Sequence, residues 1–166
     1  MARRAPAFNM RAIALKRLEK PTSLDATIPR LPLEEFLARA NVVSLHVPLT
    51  ATTRGLVDAS WFKQMKPEAF LVNTARGAVI DEPDLKNALD QGQIAGAALD
   101  VFCNEPIGKN HPLASHPKVL ATPHIGSATY ETRRAMALRA ASNIVQALSG
   151  TRPHDLLNPE AIKPLP

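Results

Sequence analysis

Residues 70–85, FLVNTARGAVIDEPDL, run from an apolar segment through an arginine to a helix start, and this passage settles the architecture. Phe70, Leu71 and Val72 form a short apolar run, as a buried strand requires. Asn73, Thr74 and Ala75 lead to Arg76, and Gly77 breaks the line. A guanidinium beside a buried run is costly unless an anionic group meets it. Asp81 suits an N-cap, Pro83 the first turn and Gly92 the position past the end, so a helix is predicted over 82–91.

Outward from this passage the same alternation recurs. Further strands are predicted near 10–15, 42–47, 95–99 and 118–121, with the first apolar run placed at 69–73, and further helices near 33–39 and 59–65. Alternating strands and helices are the mark of βαβ units, so the fold class is α/β with a parallel sheet. The runs NVVSLHV and AGAALDVF carry apolar residues at consecutive positions, which predicts helices on both faces. After the last strand, Ser127 is expected to cap a helix reaching about Ser149, with Gly150 ending it. Met136, Ala137, Ala140, Ala141, Ile144, Val145 and Leu148 repeat at helical spacing, so one stripe is expected to be buried. At ~1.5 Å per residue the helix spans about 33 Å, longer than this sheet requires, and points to contact with another domain or subunit. The proline-rich tail, 151–166, has no periodicity and is expected to be extended or loosely held, leaving 1–150 as the domain.

With 45% hydrophobic residues among 166, the chain can build one core. The formal charge is +5, but the basic residues are scattered and there is one Trp and one Tyr, so neither a basic stripe nor a stacking platform for nucleic acid exists. A lone cysteine, Cys103, forms no internal disulfide and has no metal-ligand spacing around it; no metal is expected, and a reducing, cytoplasmic setting fits. No apolar run approaches the ~20 residues of a membrane span. The opening MARRAPAFNMRAIALKR is Arg-rich with no acid before Glu19, the composition of an organellar transit peptide. The competing assignment ends a helix at Phe8, turns at a left-handed Asn9 and runs a strand from Met10 to Leu15; it agrees with the pattern downstream.

In open parallel sheets, ligands lie beyond the carboxyl ends of the strands. Arg76 follows one predicted strand, Asp100 and Glu105 the next, and His124 the last, in ATPHIGS. An imidazole can pass a proton, a carboxylate can orient it and a guanidinium can hold an anion. Each has an ordinary alternative: an arginine bonding nearby carbonyls, a turn glutamate before proline, a loop histidine.

The segments HVPLTATTRGLVD, FLVNTARGAVIDEPDL, GAALDVFCNEP and ATPHIGSATYETR, in this order and spacing, resemble the nucleotide-binding domain of the D-isomer-specific 2-hydroxyacid dehydrogenases. The resemblance runs from Ala2 into the tail. It implies a Rossmann-like parallel sheet flanked by helices, an NAD(P)-dependent enzyme, and hydride transfer between the nicotinamide and a 2-oxo or 2-hydroxy acid such as glyoxylate, hydroxypyruvate or D-lactate. It also implies a homodimer. By position, the substrate-binding arginine falls on Arg76, the acidic partner on Glu105 and the acid/base histidine on His124. The cofactor would be met by Thr74, Ala75, Arg76, Asp100, His124 and Gly126 near the nicotinamide, and by His46, Val47, Pro48 and Thr53 beside the adenosine half.

Two departures qualify the resemblance. No GxGxxG occurs in the 166 residues, so the expectation is an N-terminally truncated domain without its phosphate loop or the family's substrate domain. Where NAD users commonly place an acid for the ribose, this chain has Lys16 and Arg17, which suit a 2'-phosphate or are solvated loop charges; NAD and NADP both stay open. An alternative function is a non-catalytic dimerisation or binding module, since related transcriptional corepressors use the same fold to recruit partners.

Overall fold

In a computed structural model, which describes residues 2–16, 28–108 and 110–159, the chain forms two compact units, Met1–Pro123 and His124–Pro166. In the first unit, β1 (Ala14–Leu15) pairs in parallel with β2 (Arg30–Leu31). A second parallel sheet holds β3 (Val42–Leu45), β4 (Phe70–Asn73), β5 (Gly96–Leu99) and β6 (Val119–Ala121) in that spatial order, Rossmann-like in character. The last four lie inside their predicted ranges. The strand expected over 10–15 shrinks to its final two residues, and β2 was not foreseen, being too short for any periodic signal. Asn9 takes the left-handed conformation, φ 55°, after a short 3₁₀ turn, Ala5–Phe8.

The helices of this unit are α1 (Leu33–Arg39), α2 (Ala59–Phe62) and α3 (Glu82–Asp90). Helix α3 starts as expected, the Asp81 carboxylate accepting from the Asp84 N–H at 3.1 Å. Gly92 follows at φ 68°. Helix α2 stops at Phe62 rather than near 65, the chain passing into a turn at Lys63.

Side chains at matching register points Val43, Leu71, Ala97 and Val119 line up across one face of the large sheet. Leu37 of α1, Trp61 and Phe62 of α2, and Leu85 and Leu89 of α3 join Val43, Leu71 and Ala97 in one buried cluster. Crossovers that step one way across a sheet with constant right hand deliver their helices to the same face. Among the described residues of this unit the three helices cover one face, and on the other Val42, Phe70 and Leu120 are 43%, 49% and 68% exposed.

The turn after β4 is pressed against the loop after β5. A Cβ on Gly77 would lie 1.9 Å from the carbonyl carbon of Phe102 and 2.4 Å from the Cys103 nitrogen, so only glycine fits.

In the second unit, α4 (Tyr130–Leu148) begins two residues later than expected. Its cap is Thr129, whose hydroxyl accepts from the Thr132 N–H at 3.2 Å, and not Ser127. No residue of α4 is buried, and Met136, Ile144, Val145 and Leu148 are exposed, which corrects the buried stripe. Its own unit offers it little to pack on. The tail is not simply extended: Arg139 donates two hydrogen bonds to Asp155, at 2.6 and 2.7 Å, Asn143 donates a third at 2.7 Å, and Gln146 accepts from the His154 N–H. No described helix is long and apolar enough to cross a membrane.

Gly77→Ala is expected to lower the unfolding free energy by about 3 kcal/mol, the upper range for overpacking. Gly92→Ala has open space and meets only its positive φ, at about 1 kcal/mol. Urea unfolding of both variants checks this ordering, and equal losses would contradict the close approach. Arg139 and Asn143 hold the Asp155 carboxyl down at about 2, below its ordinary 3.8. A depressed carboxyl stabilises above its unfolded value, so the clasp on the tail persists through neutral pH and opens only as the pH falls from 3.8 toward about 2. An NMR titration of the Asp155 carboxyl should show that low midpoint.

Candidate functional site

Two parallel strand ends build a groove. The backbone leaving β3 carries His46, Val47, Pro48 and Leu49, and that leaving β4 carries Thr74, Ala75 and Arg76; together they line a cavity of about 450 Å³. Parallel pairing in register, Leu45 opposite Asn73 and Asn73 opposite Leu99, brings these exits to one edge. Thr53 is close in chain but acts on the loop itself: its hydroxyl donates to the Pro48 carbonyl at 2.6 Å and accepts from the Thr50 N–H at 2.8 Å. His46 Nε2 is 2.9 Å from the Ser44 hydroxyl.

The turn bearing Arg76 is shaped by a residue that sequence reasoning passed over. Asn73 is fully buried; its amide donates to the Arg76 carbonyl at 3.0 Å and its side-chain oxygen accepts from the Ala75 N–H at 3.0 Å. A polar side chain ending an apolar strand, just before a turn, was the available signal. Arg76 is itself exposed and donates to the Ala75 carbonyl at 2.6 Å. The burial cost inferred from its neighbours in sequence therefore does not arise, and the guanidinium is available at the groove.

Beyond β5, Asp100 is 7% exposed, donates its N–H to the Asn73 carbonyl and accepts from the Thr122 hydroxyl at 2.6 Å. Thr122, at the end of β6, was also missed. Glu105 is exposed and one carboxylate oxygen accepts from the Phe102 N–H at 2.8 Å, which curls the loop back under its own acid. Arg76, Asp100 and Glu105 thus stand on neighbouring strand exits of one unit. A groove lined by two backbone turns, a histidine and an exposed guanidinium suits the polar groups of a dinucleotide.

His124 opens the second unit, three residues after β6 ends, with φ 53°. Left-handed backbone at a non-glycine residue carries a modest cost and often marks a functional position. Gly126 lies two residues on in the same turn. Lys16 is exposed directly after β1, its N–H bonded to the Leu31 carbonyl at 2.8 Å; Arg17 lies outside the described residues. Among the described residues, no group of three His, Cys, Asp or Glu is gathered to hold a metal ion.

Residues 1–126 match the family described as D-isomer specific 2-hydroxyacid dehydrogenase, NAD binding domain. A glyoxylate reductase of Thermofilum pendens is 42% identical over 99% of this chain and 49% of its own length. Among solved structures, a protein from Thermus thermophilus is 45% identical with a TM-score of 0.82, covering 92% of this chain and 48% of the other. An NADPH-dependent glyoxylate/hydroxypyruvate reductase from Sinorhizobium meliloti, in complex with NADP and malonate, is 35% identical with a TM-score of 0.79, covering 89% and 46%. The chain spans about half the length of the curated relatives it matches. On the match over residues 1–126, and on a parallel sheet shared with those structures, the chain belongs to the D-isomer specific 2-hydroxyacid dehydrogenase family, through its NAD-binding domain.

Proposed function

We propose that this chain contributes the cofactor domain and the polar catalytic groups of an NAD(P)-dependent reductase of small 2-oxo acids, with Arg76, Glu105 and His124 in the roles of anion holder, acidic partner and proton donor. The observation that carries it is the placement of Arg76 on the groove after β4, with Asp100 and Glu105 following β5, the strand paired in parallel with β4. The likeness to glyoxylate and glyoxylate/hydroxypyruvate reductases supports the substrate class. When bound, the nicotinamide supplies the hydride. The Arg76 guanidinium, which has only the Ala75 carbonyl as its described hydrogen-bond partner, holds the substrate carboxylate in a forked pair and draws charge from the adjacent carbonyl. His124 takes the role of proton donor to the forming alkoxide, and Glu105 that of the acidic group. Asp100, held by Thr122, would accept from the carboxamide of a bound nicotinamide.

Further parts of the proposal concern setting and assembly. Lys16 and Arg17 select the 2'-phosphate of NADP. The exposed Met136, Ile144, Val145 and Leu148 of α4 favour a homodimer. A cytoplasmic setting accords with the single reduced cysteine. The same exposed helix also favours the second reading, a non-catalytic dimerisation module; a dimer in size-exclusion chromatography that binds no nucleotide would select it.

Nicotinamide oxidation with glyoxylate, hydroxypyruvate and pyruvate is the direct assay. His124→Gln should lower kcat by about 10²- to 10⁴-fold. Arg76→Lys should raise KM for the acid by roughly tenfold, since an ammonium loses the forked geometry. Variants as active as the parent would remove these residues from the mechanism. Lys16→Asp with Arg17→Asp should weaken NADPH about tenfold more than NADH, read by calorimetric titration of each.

A further inference from the structure

Two carboxylates from different elements grip adjacent amides of one loop. Glu105 accepts from the Phe102 N–H at 2.8 Å, and Glu82, the first residue of α3, accepts from the Cys103 N–H at 2.7 Å. The peptide that carries the second of those amides, Phe102–Cys103, is the one on which Gly77 is pressed, with no room for a methyl group. The Phe102–Cys103 peptide is therefore a junction between the Arg76 turn, the Glu105 loop and α3.

Glu82 has a plainer reading, an acid in the first turn of a helix favoured by the dipole. Such a residue faces water. Here the side chain is only 18% exposed and both oxygens are engaged, the second lying 3.5 Å from His111 Nε2. His111 is itself 17% exposed and sets its ring edge against Phe102, centroids 5.0 Å apart and planes at 69°. Its Nδ1 is buried without a partner. With the ring proton on Nε2, that proton faces the carboxylate and Nδ1 presents a lone pair rather than an orphaned donor. His111 thus braces the acid from one side and the Phe102 ring from the other.

We propose that Glu82, braced by His111, is a positioning residue for the reaction: by holding the Phe102–Cys103 peptide it sets the place of the Glu105 carboxylate and of the Arg76 turn. The catalytic part of this statement rests on the reductase reading above. Cys103 reports on the contact, because partial burial and the neighbouring Glu82 carboxylate push its thiol up to about 11.

The test compares Glu82→Ala with Glu82→Gln, whose amide oxygen can still accept from Cys103. In isotope-labelled chain, Glu82→Ala is expected to move and deprotect the Cys103 amide, and to shift the Gly77 amide and the Glu105 carboxyl. Leu85 and Trp61 signals should stay in place, showing an intact core. Alkylation of Cys103 at about pH 8 should speed up by about threefold or more as the thiol pKa falls. Glu82→Gln should keep the Gly77 and Glu105 signals close to the parent. With a 2-oxo acid and NADPH, Glu82→Ala should lose about tenfold to a hundredfold in kcat/KM, and Glu82→Gln should recover most of it.

Unchanged Gly77 and Glu105 signals in Glu82→Ala would overturn the proposal, as would an unchanged kcat/KM in an active parent. Should Glu82→Ala not fold, His111→Ala is expected to shift the same signals by less, and their constancy would count equally against it. A parent inert toward every 2-oxo acid would sink the reductase reading, leaving the Gly77 and Glu105 signals to decide the positioning role by themselves.

Discussion

The contact between Gly77 and the Phe102–Cys103 peptide ties together the two segments on which the candidate site depends. Strand register places the exits of β4 and β5 side by side, but register stops where the strands stop, at Asn73 and Leu99. Beyond that point the segments are loops, which wander unless something holds them. Backbone packed on backbone with no intervening side chain is one restraint, and hydrogen bonds from Asn73, Glu82, Glu105 and Thr122 are the others. Asn73, Glu82 and Glu105 spend polar groups on loop backbone and Thr122 spends its hydroxyl on the Asp100 carboxylate, so Arg76 and Glu105 can stay exposed and still be placed.

The sheet below this junction is lopsided. Three helices share one buried face with Val43, Leu71 and Leu99, while Val42, Phe70 and Leu120 remain exposed on the other. Burying the covered face removes Leu37, Phe62, Leu85 and Leu89 almost wholly from water, each at about 1.5–3 kcal/mol, which gives the strand exits a rigid base. Exposed apolar surface on α4 and on the open sheet face has the opposite effect, favouring association.

Much of the architecture was legible because local signals coincide. The limits of α3 follow from Asp81, Pro83 and Gly92, residues whose backbone preferences act over a few positions. The groove was legible too, since His46 to Pro48 and Thr74 to Arg76 follow apolar runs that pair as parallel strands. What escaped was partly non-local. Thr122 looks like an ordinary polar residue until Asp100 is brought to it by the fold, whereas Asn73 acts on Ala75 and Arg76 within its own turn. Ser127 and Thr129 are equally good caps in isolation, and only the geometry of the turn after β6 chose Thr129.

By itself, the sequence determined the alternation of strands and helices, the start and end of α3 and the polar residues at strand ends, because capping, turn chemistry and hydrophobic period depend on near neighbours. Only the tertiary structure decided which sheet face is covered and which residues hold the loops. Those outcomes turn on crossover hand and on contacts such as Gly77 with Phe102 and Glu82 with Cys103, between groups more than twenty positions apart, where no local pattern records the partner.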